Sequence, residues 1–338
     1  MSRKTVTRDE VARLAGVSPA TVSYVINDGP RPVSTATRRQ VLQAVRELGY
    51  RPNAVARNLR RQRTTTLGLI IPDTGNPYFA KVARGVEQMA SERKYTVVLS
   101  HSNYDVEREL HYVEVLTAEQ AAGVIWIPAS EDDRPARRLS QYGVPLVILD
   151  RRMRSIDVPS VVADNFGGAN MAIRHLIDLG HSRIGFITRP YELSHSRDRE
   201  RGYRAALVEH GLEVDEELVV RGGFRHEDGR GAAIRLLKMK PAPTAIFAYN
   251  DVMAIGALRA AYDFGLHVPG AVSIVGFDDI PGAACSCPAL TTVRQPKEEM
   301  GWRSAELLIG LLADDPPPQW DEAPFQVDLI VRESTGPA

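Results

Sequence analysis

The chain has 338 residues, 43% of them hydrophobic and 25% charged, which suits a globular protein of two or three domains. No apolar run approaches the roughly 18 residues of a membrane span, and the opening MSRKTVTRDEVARLAG has no apolar stretch of the kind an export signal needs, so a cytoplasmic protein is expected. Net charge is zero, but residues 1–63 hold 13 Lys/Arg against four acids (+9) and the remainder 29 basic against 38 acidic residues (−9), as expected of a polyanion-binding head on an acidic body.

Thr7-Arg-Asp-Glu10 reads as a capping box. Val11, Leu14 and Ala15 then form an apolar stripe, and Gly16 stops the helix. Ser18 is a second N-cap with Pro19 at the first helical position. Val22, Val25 and Ile26 point inward from this helix, whereas Ala20, Thr21, Ser23, Tyr24 and Asn27 point elsewhere. A third helix follows Ser34, with Val41, Leu42, Val45 and Leu48 as its apolar face and Gly49 as its stop. Two short helices joined by a glycine turn make the helix-turn-helix layout. A generic three-helix bundle has no need of the small, hydroxylated outward face that lets base edges approach. Nor does it need the flanking Arg3, Arg8, Arg31, Arg38 and Arg51, which can neutralise phosphates.

The run Val11-Ala-Arg-Leu-Ala-Gly-Val-Ser-Pro-Ala-Thr-Val-Ser-Tyr-Val-Ile-Asn27 resembles the helix-turn-helix of the lactose-repressor (LacI/GalR) family. Leu48-Gly-Tyr-Arg-Pro-Asn-Ala-Val-Ala-Arg-Asn-Leu59 resembles the same family's hinge. The resemblance implies a homodimer, or a tetramer, on a palindromic operator. In its DNA face, Thr7, Ser18, Pro19, Ala20, Thr21, Ser23, Tyr24, Asn27 and Arg31 belong to the head, and Asn53, Ala56, Arg57, Leu59 and Arg60 to a hinge helix that folds on the operator. Leu59 is then the minor-groove wedge, Ala56 faces its symmetry mate and Asn53 is the hinge N-cap. Tyr24 departs from the arginine or histidine of many members and cannot fork onto guanine.

From Thr66 the pattern alternates. Strand candidates at Leu67–Ile71, Thr96–Ser100, Gly123–Ile127, Val144–Leu149, Ile184–Ile187, Thr244–Ala248 and Val272–Gly276 are mostly separated by helical stretches, which indicates two doubly wound α/β lobes with a ligand between them. The family resemblance, which runs on to Val331-Arg-Glu-Ser-Thr335, implies an all-α, lambda-repressor-like head (1–50), a hinge (51–65) and a periplasmic-binding-protein-like sensor (66–338). It also implies an N-lobe of about 66–162 and 292–323 and a C-lobe of about 163–291 and 324–338, with crossings near Ala163, Thr291 and Pro324. Carried over by resemblance, the ligand groups are Asp73, Tyr78, Phe79, His101, Ile127 and Asp150 from the first lobe and Arg197, Phe224, Asn250 and Asp278 from the second. Asp251 and Asp279 are better read as helix caps.

A guanidinium, an amide and a carboxylate together satisfy a polyol; by resemblance the commonest effectors are sugars and sugar phosphates, and Arg197 beside His195 and Arg199 could tolerate an anionic group, so a sugar or sugar derivative is expected. No His-x-x-x-His pair, Cys-x-x-Cys pair, phosphate loop or nucleophile elbow is present, so neither a metal, a cofactor nor an enzyme is expected. A transporter's solute-binding protein would share the sensor fold, but it would need an export signal and would not carry the basic head.

Overall fold

Thr7 starts helix α1 (Arg8–Leu14) by the expected reciprocal bonds: its hydroxyl accepts from the Glu10 amide and its own amide donates to the Glu10 carboxylate at 2.7 Å. Helix α2 (Pro19–Ile26) opens on Ser18, whose Oγ accepts from the Thr21 amide at 3.1 Å. Helix α3 (Thr35–Leu48) opens on Ser34 and ends at Gly49, whose φ of 62° is the left-handed conformation that glycine adopts most cheaply. Val11, Ala12, Val22, Val25, Val41 and Ala44 form the core of the head. Leu14 and Leu42, expected to point inward, are 50% and 41% exposed. At 100° per residue the face through positions 41, 44, 45 and 48 leaves 42 outside it, and the face through 11, 12 and 15 leaves 14 outside.

The computed structural model describes residues 6–26, 31–50, 64–189, 193–313 and 323–338, and the chain divides into two compact units, Met1–Thr64 and Thr65–Ala338. In the second unit, β1 (Thr66–Ile71), β2 (Thr96–His101), β3 (Gly123–Trp126), β4 (Leu146–Leu149) and β5 (Ser160–Val161) form a parallel sheet of order β2-β1-β3-β4-β5. A second sheet of order β11-β10-β9-β8-β6-β7 comprises β6 (Ile184–Thr188), β7 (Val219–Arg221), β8 (Ala245–Ala248), β9 (Ser273–Asp278), β10 (Thr291–Arg294) and β11 (Asp328–Ile330). It is parallel except for β11. The inner strands read as unbroken apolar runs because helices cover both faces of each sheet. These helices are α4 (Pro77–Glu92), α5 (Val106–Ala118), α6 (Arg134–Gln141), α7 (Asn165–Asp178), α8 (Ser194–Glu209), α9 (His226–Leu237), α10 (Asp251–Asp263), α11 (Pro281–Cys285) and α12 (Lys297–Leu312).

Two crossings between the lobes run side by side, with the Asp164 amide donating to the Phe325 carbonyl at 2.9 Å and the Phe325 amide to the Val162 carbonyl at 2.8 Å. The third crossing, expected near Thr291, comes after Arg294: β10 pairs with β9 in the second sheet, and α12 then packs against α4 of the first lobe. Thr291-Thr-Val-Arg294 contains a single apolar residue and so offers no apolar run to read.

Candidate functional site

The carboxyl ends of strands in both sheets deliver side chains into one interlobe cleft. After β1, Asn76 caps α4 through its Oδ1, which accepts from the Tyr78 amide at 2.9 Å, and this places Tyr78 and Phe79 on the wall. Asp150, just past β4, and Asp278, at the end of β9, hold left-handed φ values of 71° and 116°. Non-glycine residues with such φ values cluster where function holds the backbone in place. Tyr78 Oη donates to Asp150 Oδ1 at 2.5 Å. Burial, then the Asp150 and Asp278 carboxylates, push the phenol well above its ordinary range, so it keeps its proton and remains a donor.

Helix α8 presents His195, Arg199, Gly202, Tyr203 and Ala206 on its buried face. Gly202 makes this possible: a Cβ there would lie 2.4 Å from the Phe166 carbonyl oxygen and 3.0 Å from the Asn170 amide nitrogen, so α7 and α8 approach backbone to backbone. The buried Arg199 is fully engaged, with Nε donating to Asn165 Oδ1 at 2.8 Å, Nη1 to the Tyr249 carbonyl at 2.6 Å and Nη2 lying 3.7 Å from Asp278. Burial raises the Asp278 carboxyl to about 6 against the opposing pull of Arg199 and Lys297. Gln295 Nε2 donates to that carboxyl at 2.7 Å, and Lys297 Nζ donates to the Asp278 carbonyl. At the mouth, Tyr104 stacks on Phe224 from the other lobe, and Arg189 lies 4.4 Å from the Phe224 ring centre.

Of the residues expected here, Tyr78, Phe79, Asp150, Phe224, Asn250 and Asp278 line the cleft. Asn250 also caps α10, its Oδ1 accepting from the Met253 amide at 2.9 Å. Four expected residues do not line it. Asp73 closes a turn by accepting from the Gly75 amide, His101 is exposed on edge strand β2, and Ile127 is fully buried in the apolar core. Arg197 points to Glu131 at 3.2 Å and lines an adjoining hollow with Glu200, Arg201 and Arg204, which shares Arg189 with the cleft. Two residues along a helix is a 200° turn, so Arg199 rather than Arg197 shares the cleft face with His195. Asp251 is no simple cap, because its buried carboxylate accepts from Thr292 Oγ1 and the Ile280 amide; Asp279 pairs with Arg332.

Sequence reasoning missed Asn76, Tyr104, Arg151, Arg189 and Tyr249, and it named His195 and Arg199 only as neighbours of Arg197. The four-residue spacing of His195 and Arg199 and the strand-end positions of Arg189 and Tyr249 were usable signals. Tyr104, in a loop at φ 60°, had none. Among the described residues, no three His, Cys, Asp or Glu side chains group so as to hold a metal ion.

Residues 7–53 match the model of the bacterial regulatory proteins of the lacI family, and residues 173–335 match a periplasmic binding protein-like domain. Catabolite control protein A of Priestia megaterium is 39% identical over 305 residues, covering 90% of this chain and 91% of that protein. The chain belongs to the lacI family. Both the family and the two-part fold agree with the expectation from the sequence. Among solved structures, the lac repressor dimer bound to operator and the anti-inducer ONPF superposes with a TM-score of 0.87 at 29% identity, covering 98% of this chain and 100% of that one. The complex of the transcriptional regulator CelR with cellobiose gives 0.72 at 35% identity, covering 97% and 99%.

In the head of this lacI-family chain, Ser18, Pro19, Ala20 and Arg31 are exposed and Thr21, Ser23 and Tyr24 are partly so, whereas the Thr7 hydroxyl is engaged in its cap. Asn27, Asn53, Ala56, Arg57, Leu59 and Arg60 lie outside the described residues.

Proposed function

We propose that the chain is a cytoplasmic, sequence-specific transcriptional repressor that binds a palindromic operator as a homodimer, with a small polar metabolite in the interlobe cleft controlling its affinity for DNA. The observation that carries this reading is a polar cleft walled by both lobes on the chain that carries the helix-turn-helix. A ligand touching both walls favours one lobe angle over another, and only such differential contact can shift an equilibrium. Tyr78, Phe79, Asp150, Arg199, Phe224, Asn250 and Asp278 are its ligand groups in this reading. The exposed face of α2, with Tyr24, reads bases, and Leu59 is the hinge wedge. Val98, Leu99 and Val115, exposed apolar side chains of β2 and α5, suit the surface where a second copy packs. The role is binding, not catalysis.

Selection of random duplexes by the purified protein, repeated with pooled metabolites, tests the proposal. An enriched palindrome whose recovery changes with a metabolite supports it, and no enrichment by folded protein at moderate salt overturns it.

A further inference from the structure

We propose that the metabolite is an anionic sugar derivative whose carboxylate or phosphate sits between Arg151 and Arg189. This rests on the effector reading above. The two arginines are only 2% and 5% exposed, and both line the cleft. Arg151 Nε and Nη1 and Arg189 Nε and Nη2 are buried without a hydrogen-bond partner. Asp150 Oδ2 lies 3.5 Å from Arg151 Nε as an ion pair and its Oδ1 accepts from the neutral Tyr78 phenol, so Arg151 has a counter-charge while its Nη1 has no acceptor. Among the described residues, the partners of Arg189 are ring faces of Tyr104, Phe224 and Tyr249 and two neutral groups, His195 Nε2 and Tyr249 Oη, each at 3.1 Å.

His195 adds a further donor. A guanidinium can only donate, so His195 Nε2 must accept from Arg189, and the ring proton then sits on Nδ1. That Nδ1 is itself buried and unpartnered. Burial and the surrounding arginines hold the ring well below its ordinary pKa, which keeps it in this neutral form. Three buried side chains therefore present unmatched donors to one cavity, and two of them are cations that repel each other: the Arg189 charge adds to burial in lowering the Arg151 pKa.

With Asp150 opposite Arg151 and Asp278 opposite Arg199, the Arg189 charge has no counter-ion among the described residues; a neutral sugar would use some of these donors yet leave that charge as it is, and an unpaired buried charge costs far more than an unpaired hydroxyl. A carboxylate or phosphate accepts the guanidinium forks in pairs and supplies the missing charge. Asp278 and Asn250 remain for sugar hydroxyls.

The test uses the full chain with matched probes: glucose, glucuronate and glucose 6-phosphate; ribose and ribose 5-phosphate; and inorganic phosphate against chloride at equal ionic strength. Thermal shift and calorimetry are expected to show the charged member of a set binding at least tenfold more tightly than the neutral one, and phosphate raising Tm above chloride. Arg151→Gln and Arg189→Gln should each weaken charged probes at least tenfold. If either variant fails to fold, Arg189→Lys, which keeps the charge but loses the fork, should show the same loss. Carboxylate against phosphate preference identifies the source of the anion. Neutral sugars binding as tightly as their charged partners, inorganic phosphate without effect, or charged probes indifferent to both substitutions would overturn the anion seat. The effector reading is judged separately, by whether any metabolite changes operator recovery.

Discussion

Tyr104 of the first lobe and Phe224 of the second lie ring on ring, with centroids 3.9 Å apart and planes 10° from parallel. The lobes thus meet at the cleft mouth through two aromatic faces, next to the Arg189 guanidinium. An aromatic pair contributes about 0.5–1.5 kcal/mol beyond area burial, so Tyr104→Ala should weaken effector binding by about two- to tenfold if closure is coupled to binding. Calorimetry with the effector checks this, and an unchanged Kd would separate the stack from ligand capture.

Arg199 and Arg197 should behave oppositely. Removing Arg199 leaves Asp278 and the Tyr249 carbonyl buried without their partner, and breaking a buried pair costs about 3–5 kcal/mol. Arg197 and Glu131 form a half-exposed pair, for which about 0.2–1 kcal/mol is usual. Chemical denaturation of Arg199→Ala and Arg197→Ala should therefore give a large and a small loss of stability, and equal losses would contradict the assignment of the cleft face.

Glu109 on α5 is fully buried and accepts from the Ala129 amide at 2.9 Å, and burial lifts its carboxyl from 4.5 to about 7. Below pH 4.5 the folded and unfolded chains both hold this proton; between 4.5 and 7 the folded chain holds more, so stability falls as pH rises, and above 7 the effect levels off. The total is on the order of 3 kcal/mol. Asp278 and Asp251 act with the same sign, and the lowered pKa values of His175, His181 and His195 act with the opposite sign, so the contribution of Glu109 is read as the difference between variant and wild type. Glu109→Gln should remove a falling component from Tm against pH between 4.5 and 7 and raise stability at pH 8. A slope identical to wild type would rule this out.

Gly202→Ala forces a methyl group into the backbone of α7, an overpacking that costs about 1–3 kcal/mol. Because α8 carries His195 and Arg199, effector affinity should fall along with Tm. A lower Tm with normal affinity would mean that α8 keeps its register despite the strain.

Tyr24→Ala should reduce operator affinity by about 1–3 kcal/mol, the range for one good base contact, without altering the effector-induced shift in Tm. Titration of labelled operator measures it; equal affinity for operator and random DNA in both proteins would remove Tyr24 from base reading.

Much of this protein is settled by local signals in its sequence. The caps at Thr7, Ser18 and Ser34 and the stop at Gly49 depend on bonds within three or four residues or on one residue's own φ, so the head could be read directly. The apolar strands and their alternation with helices likewise placed two α/β lobes, and Tyr78, Phe79, Asp150, Phe224, Asn250 and Asp278, carried over by the family resemblance, line the cleft. What the tertiary structure alone decided is direction and pairing. Arg197 and Arg199 are the same residue type two positions apart on opposite faces of one helix, and which face turns to the cleft is set by how α8 packs, with Gly202 against the α7 backbone. Tyr104 meets Phe224, and Arg151 shares a cavity with Arg189, across long stretches of chain. Such neighbours are set by how two sheets face each other, because burial and charge proximity are properties of the assembled cleft and not of any one segment.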